Sequence, residues 1–212
     1  MSGRSDRRPD LREAMILVAE ELLESDGPDS WTVREAARRA GVSSGAPYRH
    51  FADKQALLAA VAQRGFLLLA QSLGLAMQNA PAGHPLARLQ ALGGAYMEFA
   101  LDRPGRYRVM FGPELLKGEA HQRVRQAADE TFALVLAEVE RAQSGGGLRA
   151  DQSALRIAAG AWALIHGMAD LMLNGRLKGA LGEGVRSAGD VAALSALMLD
   201  GVLARPSGEG GR

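Results

Sequence analysis

Cysteine is absent from the 212 residues. Disulfides, thiolate metal sites and cysteine nucleophiles are therefore excluded, and a reducing cytoplasm is the natural compartment. No segment reaches the roughly 18 uninterrupted apolar residues of a membrane-crossing helix. The charged stretch Met1 to Asp10 is not followed by the apolar run of a signal peptide. A soluble, cytoplasmic protein without a membrane partner is expected. Catalytic signatures are missing too: the four histidines, at 50, 84, 121 and 166, show no metal-ligand spacing, and neither a Gly-x-Ser-x-Gly elbow nor a P-loop occurs. Gly179, Gly182 and Gly184 share only the composition of a phosphate loop, because no strand precedes them. The expectation is a non-enzyme with no metal and no cofactor.

Net charge is also small, at +1. A protein that coats nucleic acid indiscriminately would carry more, but a total conceals distribution. Residues 32 to 54 hold Arg34, Arg38, Arg39, Arg49 and Lys54 against Glu35 and Asp53 alone, whereas residues 10 to 29 hold seven carboxylates and one arginine. A local basic patch stands within a nearly neutral chain.

No alternating β pattern of useful length is present, so the chain reads as all-α. Leu11, Ala14, Met15, Val18, Ala19, Leu22 and Leu23 recur on one helical face, and Asp26-Gly27-Pro28 ends it, predicting a first helix over about 11 to 26. Thr32-Val33-Arg34-Glu35 reads as a capping box, with the Thr32 hydroxyl accepting from the Glu35 amide and Glu35 reaching back to the amide of Thr32. Val33, Ala36, Ala37 and Ala40 form a narrow, small-residue face, and Gly41 ends the second helix. Ser43 or Ser44 is the expected cap of a short third helix to His50, and Asp53 that of a fourth running to about Asn79. The breaker cluster from Ala80 to Pro85 marks a boundary. Further helices are expected at about 85 to 102, 104 to 111, 117 to 143, 151 to 173 and 190 to 204. Residues 1 to 10 and 205 to 212 have nothing to bury and read as disordered ends.

Two helices joined by a glycine turn are weak evidence alone. The residue types add to it: Ala37 is small where two helices cross steeply, Val42 plugs the core, and Ser43-Ser44-Gly45-Ala46 presents small polar groups and amides at a helix N-terminus. That end enters the major groove in a helix-turn-helix, and its dipole favours phosphate. Tyr48, His50 and Lys54 can donate to phosphate oxygens around the apolar anchor Phe51.

The run Thr32 to Lys54, Thr-Val-Arg-Glu-Ala-Ala-Arg-Arg-Ala-Gly-Val-Ser-Ser-Gly-Ala-Pro-Tyr-Arg-His-Phe-Ala-Asp-Lys, resembles the TetR family of bacterial regulators. The resemblance covers residues 11 to 60 and implies a three-helix DNA-binding domain there. It also implies a helical ligand-binding and dimerisation domain over 61 to 204. By that resemblance Tyr48, His50 and Lys54 fall on phosphate-contacting positions, Thr32 and Arg34 lie where the second helix meets the DNA backbone, and Ser44, Gly45, Ala46 and Arg49 face bases. Pro47 departs from the family's usual aliphatic residue, which leaves the dimensions of the recognition helix open. Double-stranded operator DNA, a second copy of the chain and a small-molecule effector are the partners implied.

The stretch Ala161 to Leu173 is apolar nearly all round, interrupted by His166 and Asp170, so it needs cover on more than one side. A partner subunit is the economical cover, and a four-helix seam would join Leu164 and Met168 to Leu194, Leu197, Met198 and Gly201 of the last helix. Trp162 with His166-Gly167 resembles a TetR subgroup carrying a Trp, His and Gly signature on this helix. Tyr96, Phe99, Met110, Phe111, Trp162 and His166 are candidate effector contacts, although aromatics and Met at helical spacing are more often plain core. The rival reading is a helical partner-binding protein without effector control.

Overall fold

The computed structural model describes residues 10–84, 86–112 and 119–176. Among these residues it is helical throughout: α1 (Leu11–Asp26), α2 (Val33–Arg39), a 3-10 turn (Ala46–Arg49), α3 (Lys54–Asn79), α4 (Ala87–Asp102), α5 (Pro104–Phe111), α6 (Glu119–Ser144) and α7 (Ala154–Leu173). The expected last helix at 190 to 204, with Leu194, Leu197, Met198 and Gly201, lies outside the described residues. So do the two terminal segments.

Caps set several of these boundaries. Asp10 accepts from the Arg12 amide, Asp53 from the Ala56 amide and Ser153 from the Arg156 amide, satisfying amides that have no partner in the first turn of a helix. Gly41 and Gly175 take φ of +70° and +67° just past α2 and α7, where a side chain would be strained.

By packing, the described residues divide into two units, one within residues 1–66 and 103–126 and the other within residues 67–102 and 127–212. In this division α5 stays with the N-terminal helices. Two glycines allow it. A Cβ on Gly105 would meet the Leu23 carbonyl oxygen at 2.6 Å, and one on Gly65 would meet the Met110 sulfur at 2.5 Å. Glu24 adds a polar tie, its carboxylate accepting from the amides of Gly105 and Arg106, both at 2.9 Å. The first unit's core is Met15, Ile16, Ala19, Leu22 and Leu23 of α1 with Val33, Ala36, Ala37, Phe51, Leu57, Leu58 and Val61. Arg64 braces α3 to α1 through Glu13 and the buried Glu20.

In the second unit α4 packs against α7. Leu92, Tyr96, Met97 and Ala100 are buried from α4, and Ile157, Ala158, Ile165 and Ala169 from α7. The Glu138 carboxylate of α6 is also buried and paired with Arg88 and Arg141, as a charge removed from water must be.

Candidate nucleic-acid interface

The segment from Thr32 to Lys54 forms two short elements on a buried base. Val33, Ala36 and Ala37 face inward from α2 and their small size lets it lie close to α1. Gly41 turns the chain, and the Val42 amide bonds the Ala37 carbonyl at 3.0 Å. Pro47 and Phe51 are buried beneath the next element, with the Arg12 guanidinium over the Phe51 ring at 5.9 Å. Everything outward is polar or small: Thr32, Arg34, Ser43, Ser44, Gly45, Tyr48, Arg49 and His50 are exposed, and Ala46 is half-buried. The sequence thus places its donors on the side that its apolar residues leave free.

Three local expectations are corrected. The element after Gly41 is a single 3-10 turn over Ala46–Arg49, not a helix from Ser43 or Ser44 to His50. Neither serine caps it, since Gly45 stands at the cap position with no side-chain bond. Pro47 supplies the reason, for it has no N–H to continue a ladder back to Ser43, while its carbonyl accepts from His50 and Phe51 at 2.9 Å each. The capping box is half formed. Thr32 Oγ1 accepts from the Glu35 amide at 3.2 Å, but the Glu35 carboxylate turns to Arg38 and Arg39 instead of the Thr32 amide. Those two guanidiniums, Arg38 first, hold the Glu35 carboxyl down at about 2.

Lys54 is committed within the protein. Its Nζ donates to the Trp31 carbonyl at 2.6 Å and lies 4.4 Å from the Trp31 ring centroid, a cation over an aromatic face. This fastens the segment entering α2 to the start of α3. An ammonium has three donors, so a phosphate bond remains open to it. The Trp31 clamp was not foreseen, and an aromatic one residue before the Thr32 cap was its only signal.

The expected effector residues divide between the two units. Tyr96 and His166 come together, the Tyr96 hydroxyl 3.0 Å from His166 Nδ1. Trp162 stands edge-on to Tyr96 with centroids 5.3 Å apart and edge-on to Phe132 at 5.8 Å. Phe132 stands on α6, far in sequence from both Tyr96 and Trp162, and no local pattern marks it as their neighbour. Phe99 is buried one turn along α4 from Tyr96. Met110 and Phe111 belong to the first unit, Met110 against Gly65 and Phe111 against Phe66 and Tyr107. Burial pushes the His166 imidazole pKa down, against the opposing charge of Asp170.

A capped helix, a glycine turn and a short recognition element under exposed donors define a helix-turn-helix DNA-binding protein. The family model for tetR-type bacterial regulatory proteins matches residues 16–61, and that for the tetracyclin repressor-like C-terminal domain matches residues 89–200, more than half of the chain. The chain belongs to the TetR family of bacterial transcriptional regulators, which are DNA-binding proteins and not enzymes. A solved Rhodococcus protein described as of unknown function is 36% identical, with a TM-score of 0.81 over 96% of this chain and 100% of that one. The fatty acid degradation regulator FadR from Bacillus halodurans is 14% identical with a TM-score of 0.71 over 94% of this chain and 100% of its own, a likeness of fold. The nucleoid occlusion factor SlmA of Marinobacter nauticus is 27% identical over 68% of this chain and 72% of its own length.

Proposed function

We propose that the chain is a repressor that occupies a palindromic operator as a dimer and is released by a small, largely apolar effector held in the second unit. The observation that carries the effector half is the Tyr96–His166 pair beside Trp162 and Phe132. One polar pair among aromatic rings supplies orientation, while apolar burial supplies affinity. The resemblance of Trp162 and His166-Gly167 to the subgroup with that signature supports the same reading.

For the DNA half, Tyr48, His50 and Lys54 contact phosphate, Thr32 and Arg34 meet the backbone, Ser44, Gly45, Ala46 and Arg49 face bases, and Ser43 belongs to the same DNA-binding turn. Dimerisation is supported by α7, which buries Ile157 and Ile165 yet leaves Leu155 56% and Leu171 37% exposed. Ala159, Gly160 and Ala163 between them are exposed and small. Leu164 and Met168 are half-buried beside that face and form part of the seam. The protein works in the cytoplasm without a membrane. Its long apolar helix α3 has 56% of its most apolar stretch buried inside the protein, which suits a core helix.

Fluorescence tests the effector. Trp162 and Trp31 are the only tryptophans, so a Trp31→Phe background isolates Trp162. Its quenching by apolar and aromatic compounds should share a midpoint with operator release, with a coupling of about 1 to 3 kcal/mol. If a broad panel neither perturbs Trp162 nor shifts DNA binding, the second unit is a dimerisation platform only.

A further inference from the structure

Arg38 has no place in the contact set assigned above, yet its geometry points it at the same ligand. Arg34 and Arg38 are four residues apart and share one face of α2. Both are exposed, the Arg38 side chain to 73%. On a helix every Cα–Cβ bond leans toward the N-terminus. Arg38 therefore leans toward Thr32, the end of α2 assigned to the DNA backbone. With a rise of 1.5 Å per residue, its Cα lies only about 7.5 Å along the axis from Val33, a span that an arginine side chain bridges.

In the free protein Glu35 intercepts it. Arg38 Nη2 donates to Glu35 Oε1 at 2.7 Å and Arg38 Nε to Oε2 at 3.0 Å, a fork on both carboxylate oxygens. Arg39 shares Oε1 at 3.2 Å but is also held by Asp26 of α1 at 3.1 Å. Arg39 is thus tied between two helices, whereas Arg38, among the described residues, is held by the Glu35 carboxylate alone. Carboxylate and phosphate present the same pair of oxygens to a guanidinium. A pair this exposed is weakly held and screened by salt. A DNA phosphate offers it a second acceptor in a stronger field.

We propose that Arg38 is a further phosphate contact of this regulator, held by Glu35 in the free protein and passed to the DNA backbone on binding. Glu35 is then a restraint that lowers affinity for any duplex, operator or not. The proposal rests on α2 turning its N-terminus to DNA. Arg39 remains the tie to α1.

The test measures binding to an operator selected from random DNA, and to a random duplex, by fluorescence anisotropy across a range of KCl. Each phosphate contact contributes about 0.9 to the slope of log K against log salt, or about eightfold in affinity between 1 M and 0.1 M salt. Arg38→Ala is expected to lower the slope by about 0.9 per subunit on both duplexes, and Arg38→Lys to keep it. Glu35→Gln should tighten binding to both duplexes, and that gain should vanish in the Arg38→Ala background. Circular dichroism melts of each variant guard against loss of α2. An unchanged slope for Arg38→Ala in a protein where Tyr48→Phe weakens binding overturns the proposal. So does a Glu35→Gln gain that persists without Arg38, because the restraint would then be general charge. If Tyr48→Phe and Arg49→Ala are also without effect, the DNA-facing surface itself is misplaced and the proposal falls with it.

Discussion

Glu24→Ala is expected to release the first turn of α5 from α1. The amides of Gly105 and Arg106 lie in that first turn, where a helix supplies no acceptor of its own, and Arg103 at the cap position offers no side-chain bond. Both amides instead donate to the two Glu24 oxygens at 2.9 Å. A hydrogen bond to a charged group contributes about 1.5 to 3 kcal/mol. Glu24 is half-exposed, so solvent replaces part of what is lost, and about 2 to 3 kcal/mol for the pair is a reasonable total. Gly105 and Arg106 are themselves buried, which limits how well water can reach the freed amides. Glu24→Gln keeps one good acceptor and should lose about half as much. The assay is urea unfolding, with the midpoint shifting at constant m. Gly105→Ala strains the same contact from the other side, at a cost of about 1 to 3 kcal/mol for forced overpacking. The Glu24 and Gly105 changes should combine less than additively, because either one alone already loosens the turn. A loss below about 0.5 kcal/mol for Glu24→Ala, within the range of an ordinary surface substitution, would refute the reasoning and make the carboxylate a solvated cap.

Tyr48→Phe should weaken operator and random duplex alike, while Arg49→Ala should relax sequence preference by the roughly 1 to 3 kcal/mol of a bidentate base contact; an unaltered motif from binding selection would make Arg49 a backbone contact. Burial alone would raise the Glu138 carboxyl pKa, but hydrogen bonds from Arg141 and Arg88 more than offset it and the net shift is downward. Its contribution is therefore present above the unfolded carboxylate range near pH 4.3 and lost as pH falls through the lower folded value, so Glu138→Gln should flatten acid unfolding there. His166 is depressed by burial, so below about pH 6.5 the unfolded chain takes up a proton that the folded one resists. Stability should fall with acidification from about pH 6.5 downward, and His166→Gln should remove that slope in pH-dependent urea titrations. Charges placed together at Leu164 and Met168 should give monomers with intact helicity and weakened operator binding, because two half-sites must be engaged at once; sedimentation of an intact dimer would move the seam.

Much of this protein is legible from local chemistry. The apolar spacing from Leu11 to Leu23, the caps at Thr32 and Asp53 and the stop at Gly41 act within one or two turns of helix, so the sequence alone locates α1, α2 and α3. The run from Thr32 to Lys54 likewise announces a helix-turn-helix, because buried small residues and outward donors alternate at the required positions. What the sequence could not decide are choices between partners. Whether Glu35 caps α2 or holds Arg38 and Arg39 depends on competing acceptors and donors at similar range. Whether Met110 meets Gly65 and Phe111 meets Phe66 depends on which backbone comes close. That was settled by Gly65, Gly105 and the Glu24 carboxylate, distant in the chain from the residues they receive. Periodicity states which face of a helix is apolar, but only the tertiary structure selects the surface that covers it.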